Sequence, residues 1–527
     1  WGHNGYGIEA AAQNYFGKST RQLTLAESAM LAGILRGPEY YSPYRNAKGA
    51  KALQEAVIER MVLAGFINRR VADAAKAEKL SYPGITSYAY KVPWFTTTVI
   101  KQLKEKYGED MVLKGGLRVY TTLDPDLQTK AEAMVREAVA ANKVYNVHQA
   151  ALVAVEPKTG YVRALVGGVD FQKSKFNRAV QALRPPGSTF KPFVYLTGLS
   201  AGYSPGTVVV DEPVSLPSGG GQYYSPNNYD HRFRGALTLS QALASSVNIV
   251  AIKIGYDVGI PNVIKTAKAL GITSPMGENL SLPLGTSEVT PLEMAGAYAV
   301  LANDGVRHAP TLITKVVDRN NRVLEQFKGP GKRVYDANPV RLLTHMMQGV
   351  IQFGTATAAN IGRPAAGKTG TTSDARDVWF VGFTPDLATA VWMGNDDNSR
   401  LWYGSTGGAI CAPLWSRFMR YAHQGVKPKG FVAANYTEAY VSRRTGLRAH
   451  PADREARRER FVPGHEPRDF DGSSRKPPKK PTPPATPEPI EMDELDAVPP
   501  PAPAARPVAT AKPKPQPKPA RTKPPKL

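Results

Sequence analysis

Two pairs of strand-like segments, far apart in the sequence, set the strongest limit on how this chain can fold. Residues 150–155 and 161–166 flank the turn Pro157–Gly160 and predict a hairpin. Residues 378–383 and 387–393 predict a second pair, and helical stretches lie between the two pairs, around 188–200, 236–256, 291–304 and 337–353. Earlier in the chain, a T-x-x-E capping box at Thr24 and Glu27 predicts the start of one helix, and Asp124-Pro125 predicts the start of another. Strands at both ends with helices between them favour an α+β domain whose sheet joins distant parts of the chain.

Proline is unevenly distributed over the 527 residues and marks a boundary near residue 471. Residues 471–527 hold 18 of the 45 prolines, a composition that buries no core and is typical of disordered or polyproline-like chain. Lys and Arg outnumber Asp and Glu by 67 to 44, so the net charge is +23. This charge suits an anionic partner, which could be nucleic acid, an acidic membrane surface or a phosphorylated substrate.

Several classes of protein are excluded by what the sequence lacks. A single cysteine, Cys411, excludes a disulfide framework, a thiolate zinc site and a CxxC redox pair. The eight histidines include no HExxH or i, i+4 pair, so no metal or cofactor is expected. No run of 18 apolar residues predicts a membrane span. The chain starts at Trp1 in a helix-like pattern, so we expect a fragment whose start, with any signal or anchor, is missing.

Two catalytic patterns occur in unsuitable surroundings. Gly202–Gly206 matches the G-x-S-x-G nucleophile elbow, but Pro205 has no N–H for an oxyanion and the order of strand and helix is reversed. Gly362–Thr369 matches a phosphate-binding P-loop, but no strand precedes it and no helix clearly follows it. We reject the elbow and keep a P-loop NTPase as an alternative.

Three other motifs point to nucleophilic catalysis through their order along the chain. They are Ser188-x-x-Lys191, Ser246-x-Asn248 and Lys368-Thr369-Gly370. In S-x-x-K the lysine lies one helical turn after the serine, so its amine can lie beside the hydroxyl and, when neutral, accept its proton. The helix dipole and nearby cations favour that neutral form. Single motifs are not specific, because each has a second copy at 473–476, 225–227 or 158–160.

With their flanking sequences, these motifs resemble the transpeptidase domain of the class A, or bifunctional, penicillin-binding proteins. The supporting stretches are residues 115–124, 184–192, 226–229 and 366–372. Residues 1–80 resemble the last part of the glycosyltransferase domain of that family, through Gly7–Ala12, Tyr15–Lys18 and Leu23–Glu27. The resemblance covers roughly residues 1–425.

The resemblance implies a multidomain α+β chain. Residues 1–80 would be the C-terminal part of an α-helical, lysozyme-like glycosyltransferase domain, and residues 81–146 a linker region. Residues 147–425 would form a transpeptidase domain with the penicilloyl-serine transferase (β-lactamase-like) fold, an antiparallel sheet with helices. Residues 426–527 would be a basic, proline-rich extension, disordered from about residue 471.

The resemblance also implies a role for each motif residue. Ser188 would attack the D-Ala-D-Ala end of a peptidoglycan stem peptide and form an acyl-enzyme, which an amine of a second stem resolves. The implied catalytic residues are Ser188, Lys191, Ser246, Asn248 and Lys368, and the implied substrate-binding residues are Thr369, Gly370 and Thr371. The backbone N–H groups of Ser188 and Thr371 would form the oxyanion hole.

The implied partners are peptidoglycan stem peptides, β-lactam antibiotics and, in the parent protein, lipid II, with no nucleic acid. The catalytic domains would lie in the bacterial periplasm, with the parent held in the inner membrane, and the positive charge would face anionic lipid or wall polymers. The family's glutamates for glycan polymerisation lie in earlier motifs, and Glu9 and Glu27 belong to later ones, so we expect no polymerisation. A D,D-carboxypeptidase or serine β-lactamase of the same fold, and a non-catalytic wall-binding or sensor module, stay open as alternatives.

Overall fold

The structure is a computed structural model that describes residues 1–2, 7–82, 91–327 and 329–472. The predicted disordered segment, apart from residues 471–472, and the second S-x-x-K copy lie outside the described residues. Within the described ranges, no helix combines the length and the apolar character needed to cross a bilayer.

The α-helices of the described residues are α1 (Ile8–Phe16), α2 (Leu25–Ile34), α3 (Ala47–Leu63), α4 (Arg69–Ala77), α5 (Pro93–Tyr107), α6 (Glu109–Lys114), α7 (Pro125–Ala141), α8 (Arg178–Gln181), α9 (Lys191–Ser200), α10 (Leu239–Ala244), α11 (Asn248–Val258), α12 (Ile260–Leu270), α13 (Pro291–Ala302), α14 (Ala337–Gln352) and α15 (Ala412–Ala422). The strands are β1 (Arg118–Thr121), β2 (Gln149–Val155), β3 (Val162–Val166), β4 (Val208–Asp211), β5 (Leu216–Gly219), β6 (Gln222–Tyr224), β7 (Gly235–Thr238), β8 (Val306–Arg307), β9 (Ile313–Val317), β10 (Val323–Gln326), β11 (Lys332–Arg333), β12 (Ala366–Thr371), β13 (Asp377–Phe383), β14 (Ala388–Gly394), β15 (Thr437–Ser442) and β16 (Ala456–Phe461).

One five-stranded antiparallel sheet joins the two ends of the central domain, as the strand pattern predicts. Its strand order is β12-β13-β14-β2-β3, so the predicted N-terminal hairpin lies directly beside the C-terminal strands. In the register between them, Ala390 of β14 lies opposite Val153 of β2. The α+β fold class is therefore confirmed, and the sheet carries the KTG motif on its edge strand, β12.

Helices cover both faces of this sheet. Phe380 of β13 packs edge-on against Trp415 of α15, with ring centroids 5.1 Å apart. Three residues further along the strand, Phe383 packs against Tyr298 of α13 at 6.2 Å. Because side chains alternate along a strand, these two contacts lie on opposite faces. Burial of both faces explains why the strands read as continuous apolar runs in the sequence.

The first four helices pack around small apolar clusters of their own. Tyr15, Phe16 and Leu31 belong to one cluster, and Ile58 and Ala72 belong to a second. The predicted capping box is present, since Thr24 accepts a hydrogen bond from the Glu27 N–H and the Glu27 carboxylate accepts one from the Thr24 N–H. Glu27 thus has a structural role in α2.

The segment predicted as a linker, residues 81–146, contributes to the central core. Trp94 and Phe95 of α5 and Val135 of α7 belong to the same apolar core as the sheet. Strand β1 pairs with β9 in a separate three-stranded sheet, whose order is β1-β9-β10. The term linker is therefore too weak for this segment, because its apolar side chains pack on partners that are distant in sequence. The exact domain boundaries stay a prediction.

The region after residue 426 contains an antiparallel strand pair that the sequence analysis did not predict. Strands β15 and β16 pair in full register, separated by a long connection that hides the hairpin pattern. The end of β16 is bound to the rejected nucleophile elbow: the Val462 N–H donates to the Ser204 hydroxyl at 3.0 Å, and the Gly206 N–H donates to the Arg460 carbonyl at 2.9 Å. Ser204 is fully buried, so its role is structural.

Replacing Tyr195 by Phe should stabilise the chain. Tyr195 is fully buried on α9, and its hydroxyl has no hydrogen-bond partner among the described residues. An unpaired buried hydroxyl costs free energy, so we expect Tyr195→Phe to raise the free energy of unfolding by about 1 kcal/mol in urea denaturation.

The matched control is Tyr298→Phe, because Tyr298 is also fully buried but its hydroxyl donates to the Thr189 carbonyl at 2.7 Å. This variant should lower the free energy of unfolding by about 1–3 kcal/mol. Equal losses in both variants would contradict the assignment of an unpaired hydroxyl at Tyr195.

Candidate active site

A cleft of 1320 Å³ brings the three predicted motifs together. Strand β12, the turn before α9 and the junction of α10 and α11 each contribute to its wall, with Ser188, Ser246, Asn248, Thr369 and Thr371 lining it. The side chains of Lys191 and Lys368 lie fully buried behind these residues. The sequence-predicted residues therefore converge on one place, although Ser188 and Ser246 are 58 residues apart and Ser246 and Lys368 are 122 residues apart.

Ser188 lies in a short 3₁₀ turn, Gly187–Phe190, that leads into α9. The sequence predicts helix over 188–200, and the α-helix itself begins only at Lys191. No hydrogen bond within 3.5 Å joins the Ser188 hydroxyl to any described residue, Lys191 included. The Ser188 side chain is therefore unbound at the cleft surface, and the predicted serine–lysine contact is not closed in this state.

The Lys191 amine is bound by the Ser246-x-Asn248 motif. Its Nζ donates to the Ser246 carbonyl at 2.6 Å, to the Val247 carbonyl at 3.1 Å and to Asn248 Oδ1 at 2.8 Å. Burial, followed by the positive charges of Lys368 and Arg234, holds the pKa of Lys191 well below its usual value. The nearby cations that the sequence led us to expect are present, but burial, which the sequence does not reveal, is the larger cause of the lowered pKa.

Lys368 contacts the serine of the same motif. Its Nζ lies 2.8 Å from Ser246 Oγ, and the Lys191 amine lies 3.4 Å from that oxygen. Burial lowers the pKa of Lys368 to about 7. One hydroxyl is therefore within hydrogen-bond distance of two buried amines whose pKa values are both lowered, which is a suitable arrangement for moving protons.

The backbone at Ser246 is strained. Its φ is +57°, a left-handed conformation that non-glycine residues rarely adopt and that costs about 1–3 kcal/mol. The sequence predicts helix around 236–256, and the structure has α10 and α11 there, preceded by β7 and separated at Ser246. The interruption is not evident from the local sequence, because it depends on the contacts of the Ser246 hydroxyl and carbonyl with the two lysines.

Gly370 allows β12 to lie directly against the turn that carries Ser188. A Cβ atom at this position would be 2.4 Å from the Pro186 carbonyl oxygen and 3.0 Å from Thr189 Cγ2. The glycine of the KTG motif is therefore needed for close packing, while Thr369 and Thr371 line the cleft. This finding explains the residue type and gives Gly370 a packing role beside its implied substrate-binding one.

The N–H groups of Ser188 and Thr371, the two predicted oxyanion donors, take no part in the hydrogen bonds within α9 or between β12 and β13. Thr372 donates its N–H to the Asp377 carbonyl at 3.0 Å, so the neighbouring Thr371 N–H points away from β13, at the sheet edge. The Ser188 N–H belongs to the first turn of a helix, where N–H groups lack an intrahelical acceptor. A Cβ atom on Gly187 would be 2.9 Å from the Thr371 carbonyl, so the two backbone segments are adjacent.

Sequence reasoning missed the residues that support Asn248. The Asn228 amide nitrogen donates to the buried carboxylate of Asp211 at 2.8 Å, and its amide oxygen accepts from the Asn248 N–H at 2.8 Å. In the sequence, residues 226–229 contribute only to a family resemblance, and Asp211 belongs to no motif. Their proximity arises from the pairing of β4 with β7, which sequence patterns do not show.

The P-loop alternative does not survive in the structure. Lys368 and Thr369 lie within β12, and no helix begins directly after them. A phosphate-binding lysine has to reach into a loop at a helix N-terminus, whereas the Lys368 amine is buried against Ser246. In the described parts of the chain, no three His, Cys, Asp or Glu side chains lie close enough to share a metal ion.

Comparisons with known proteins agree with this geometry. The family described as "Penicillin binding protein transpeptidase domain" matches residues 150–420, and the family described as "Transglycosylase" matches residues 1–62. Penicillin-binding protein 2D of Bacillus subtilis (strain 168) is 38% identical over 89% of this chain and 69% of its own length. Penicillin-binding protein 1A of Neisseria meningitidis serogroup A is 34% identical over 84% of this chain and 70% of its own.

Solved structures show the same fold. Penicillin-binding protein 1A from Haemophilus influenzae superposes with a TM-score of 0.76 at 24% identity and covers 88% of this chain and 90% of its own. PonA1 from Mycobacterium tuberculosis superposes with a TM-score of 0.59 at 27% identity, covering 65% of this chain and 95% of its own. A second structure of PonA1, in complex with penicillin V, has a TM-score of 0.58 at 27% identity and covers 65% of this chain and 96% of its own.

Burial of Lys368 should make the stability of the folded chain increase with pH. The pKa of its amine is about 7 in the folded chain against an ordinary 10.5, so between these values the unfolded chain binds more protons. The free energy of unfolding must then increase with pH over this window, by about 3–5 kcal/mol. In Lys368→Met, which has no titrating amine, we expect a smaller increase between pH 7 and 10 in urea denaturation.

Lys265→Met is the control, since Lys265 is exposed on α12. This variant should have the same pH dependence of stability as the wild-type chain. The same dependence in Lys368→Met and in the wild type would show that this amine keeps an ordinary affinity for its proton when buried.

Proposed function

We propose a role for each group in this site on the premise that the chain belongs to the class A penicillin-binding proteins. Its transpeptidase domain makes it a serine-type D,D-transpeptidase that acts on peptidoglycan and binds β-lactams. The observation that supports our assignment is the position of the Ser246 hydroxyl, 2.8 Å from one buried amine and 3.4 Å from a second, in the wall of the cleft that exposes Ser188.

In the first step, Ser188 Oγ attacks the carbonyl carbon of the penultimate D-Ala of a stem peptide. Lys191 accepts the hydroxyl proton, because its burial favours the neutral amine. Hydrogen bonds to a catalytic base are often long before substrate binds, which is consistent with the unbound Ser188 hydroxyl. The developing oxyanion accepts hydrogen bonds from the Ser188 and Thr371 N–H groups, worth about 3–4 kcal/mol for each donor.

In the second step, the carbon–nitrogen bond breaks and the terminal D-Ala leaves. Its nitrogen takes a proton from the Ser246 hydroxyl, which is replenished by the protonated Lys368 amine 2.8 Å away. An amine of a neighbouring stem peptide then attacks the ester carbon and gives its proton through Ser246 to Lys368. Lys191 returns its proton to Ser188 Oγ as the ester bond breaks, which restores Ser188. The new amide bond is the cross-link, and Asn248 holds Lys191 in position throughout.

Recognition of the substrate carboxylate falls to β12. Thr369 and Thr371 present hydroxyls to the cleft, and Thr369 Oγ1 lies 2.7 Å from Thr355 Oγ1, which fixes its direction. The protonated Lys368 adds positive charge behind them. A penicillin carries a carboxylate beside its reactive amide, so the same groups suit it, and the PonA1 structure named above contains penicillin V.

The setting of the reaction follows from the same membership. Relatives of this chain are penicillin-binding proteins, so its catalytic domain works outside the cytoplasm. We further propose that the parent protein is held in the inner membrane and uses lipid II for glycan polymerisation. The net charge of +23 then suits the anionic lipid head groups and wall polymers that surround it.

Labelling with a tagged penicillin tests the assignment of the nucleophile. We expect one stable covalent adduct per chain, located on Ser188 by peptide mass spectrometry and absent from Ser188→Ala, because only this hydroxyl lies one turn before the buried Lys191. Rapid loss of the adduct with release of penicilloate would indicate a β-lactamase instead.

Ser204→Ala is the matched control, since Ser204 belongs to the rejected elbow and is buried beneath β16. This variant should be labelled as fast as the wild type. An adduct on Ser204, or none on either serine, would overturn the assignment.

A second test concerns glycan synthesis. Glu27 is committed to the capping box of α2, and the Glu9 carboxylate accepts a hydrogen bond from the Thr20 N–H at 2.8 Å. We therefore expect the 527-residue chain to make no glycan polymer from labelled lipid II on a gel, while still binding penicillin. If a preparation whose Ser188 is fully labelled still makes polymer, then the segments around Glu9 and Glu27 are sufficient for glycan polymerisation, and this prediction is wrong.

A further inference from the structure

Asp211 is a buried carboxylate that the proposed reaction does not use. It lies at the end of β4 and is only 1% exposed. It accepts two hydrogen bonds from the Asn228 amide nitrogen, at 2.8 and 3.0 Å, and one from the Arg234 N–H at 2.9 Å. A buried charge is costly unless it is paired or hydrogen-bonded, so these partners hold it in one arrangement.

The Asp211 carboxylate fixes the orientation of the Asn228 amide, because it accepts a hydrogen bond from the amide nitrogen. Its nitrogen has two hydrogens, and these serve Asp211 and the Arg232 carbonyl at 2.8 Å. Its oxygen therefore faces the opposite way, where it accepts from the N–H groups of Asn248 at 2.8 Å and Ile249 at 3.3 Å. These are the first N–H groups of α11, which have no acceptor within the helix.

The orientation of Asn228 is passed on to the catalytic lysine through Asn248. Its N–H is bound by Asn228, and its side-chain nitrogen donates to the Asn227 carbonyl at 2.9 Å. The remaining side-chain oxygen faces Lys191 and accepts from its amine at 2.8 Å. Each amide in this row thus has one orientation that satisfies all its neighbours, and reversing either would place like groups against each other.

We propose that Asp211 and Asn228 are positioning residues for the transpeptidase reaction, which hold Asn248 and through it the Lys191 amine in the geometry that accepts the Ser188 proton. The inference rests on the proposed function, in which Lys191 is the base. Neither residue has to touch the substrate for this role, because the effect is carried by the hydrogen bonds between Asp211, Asn228 and Asn248.

Asp211 also contributes charge to the site. The charged groups that act on Lys191 are Lys368 on β12, Arg234 just before β7, and Asp211 on β4. The two cations lower the pKa of Lys191, while the carboxylate acts in the opposite direction. Removing the carboxylate must therefore lower the pKa of Lys191 further, and a residue that merely stabilised the fold would not produce this effect.

The test measures the rate constant for acylation of Ser188 by a fluorescent penicillin as a function of pH. In Asp211→Asn we expect the rise of the rate with pH to shift to lower pH, since the neutral amine forms earlier, and the maximal rate to fall about tenfold or more. In Asn228→Asp two carboxylates would face each other, and we expect a loss of about 100-fold.

The double variant Asp211→Asn/Asn228→Asp exchanges the amide and the carboxylate. The amide at position 211 can donate to the carboxylate at position 228, which can still accept from the Asn248 N–H. We expect this exchange to recover at least tenfold of the rate lost in Asn228→Asp and to move the pH profile back towards the wild type. Recovery by exchange is the sign of an oriented hydrogen-bond row.

Asp257→Asn is the matched control, because Asp257 is exposed on α11 and its carboxylate binds only the Tyr203 hydroxyl, at 2.8 Å, in the described residues. It should keep the wild-type rate and profile. Thermal unfolding identifies any variant that does not fold. If a single variant does not fold, the pH profile of the double variant tests the positioning role in its place.

The outcomes separate this inference from the function on which it rests. No acylation of wild-type Ser188 at any pH would sink the proposed function itself. Normal acylation of the wild type, with an unshifted profile in folded Asp211→Asn and no recovery in the double variant, would overturn the positioning role alone.

Discussion

Two lysine amines buried on either side of one serine hydroxyl are the constraint on which this site depends. Lys191 and Lys368 are both fully buried, and their amines lie 3.4 and 2.8 Å from Ser246 Oγ. Burial of an ammonium group is costly, and the hydrogen bonds of Lys191 go to carbonyl and amide oxygens, not to a carboxylate. Burial therefore lowers the pKa of both amines, and reactivity is obtained at the expense of stability.

Such a site needs a scaffold that leaves it no room to relax. The strained φ of +57° at Ser246 persists because both lysines and two helices hold that turn. The edge strand β12 belongs to a sheet covered on both faces, so Lys368 and Thr371 keep their places relative to the Ser188 turn. Behind this layer, Asp211 and Asn228 give the amide of Asn248 its direction. Rigidity of this kind is what proton transfer between fixed groups requires.

Much of the fold could be predicted from periodicity. The strands of the central sheet, the capped helix at Thr24 and the helix after Asp124 are close to their predicted places. Prediction failed where a local pattern is interrupted or completed by distant partners. Ser246 interrupts a helical pattern, and β15 and β16 are separated by a long connection. In each case tertiary contacts outweigh the local preference.

The sequence by itself determined the chemistry of the site: a serine with a lysine one turn later, a second serine with an asparagine, and a lysine before a small, hydroxyl-rich strand. The chemistry can be inferred from the residue types and the order of the motifs, because no other side chains can replace a serine nucleophile or a lysine base without changing the reaction. Only the tertiary structure decided which amine meets which oxygen, that both lysines are fully buried, and that Asp211, Asn228 and Asn248 are joined by hydrogen bonds in a row that ends at Lys191. Burial and orientation are properties of packing between distant segments, so no spacing along the chain records them.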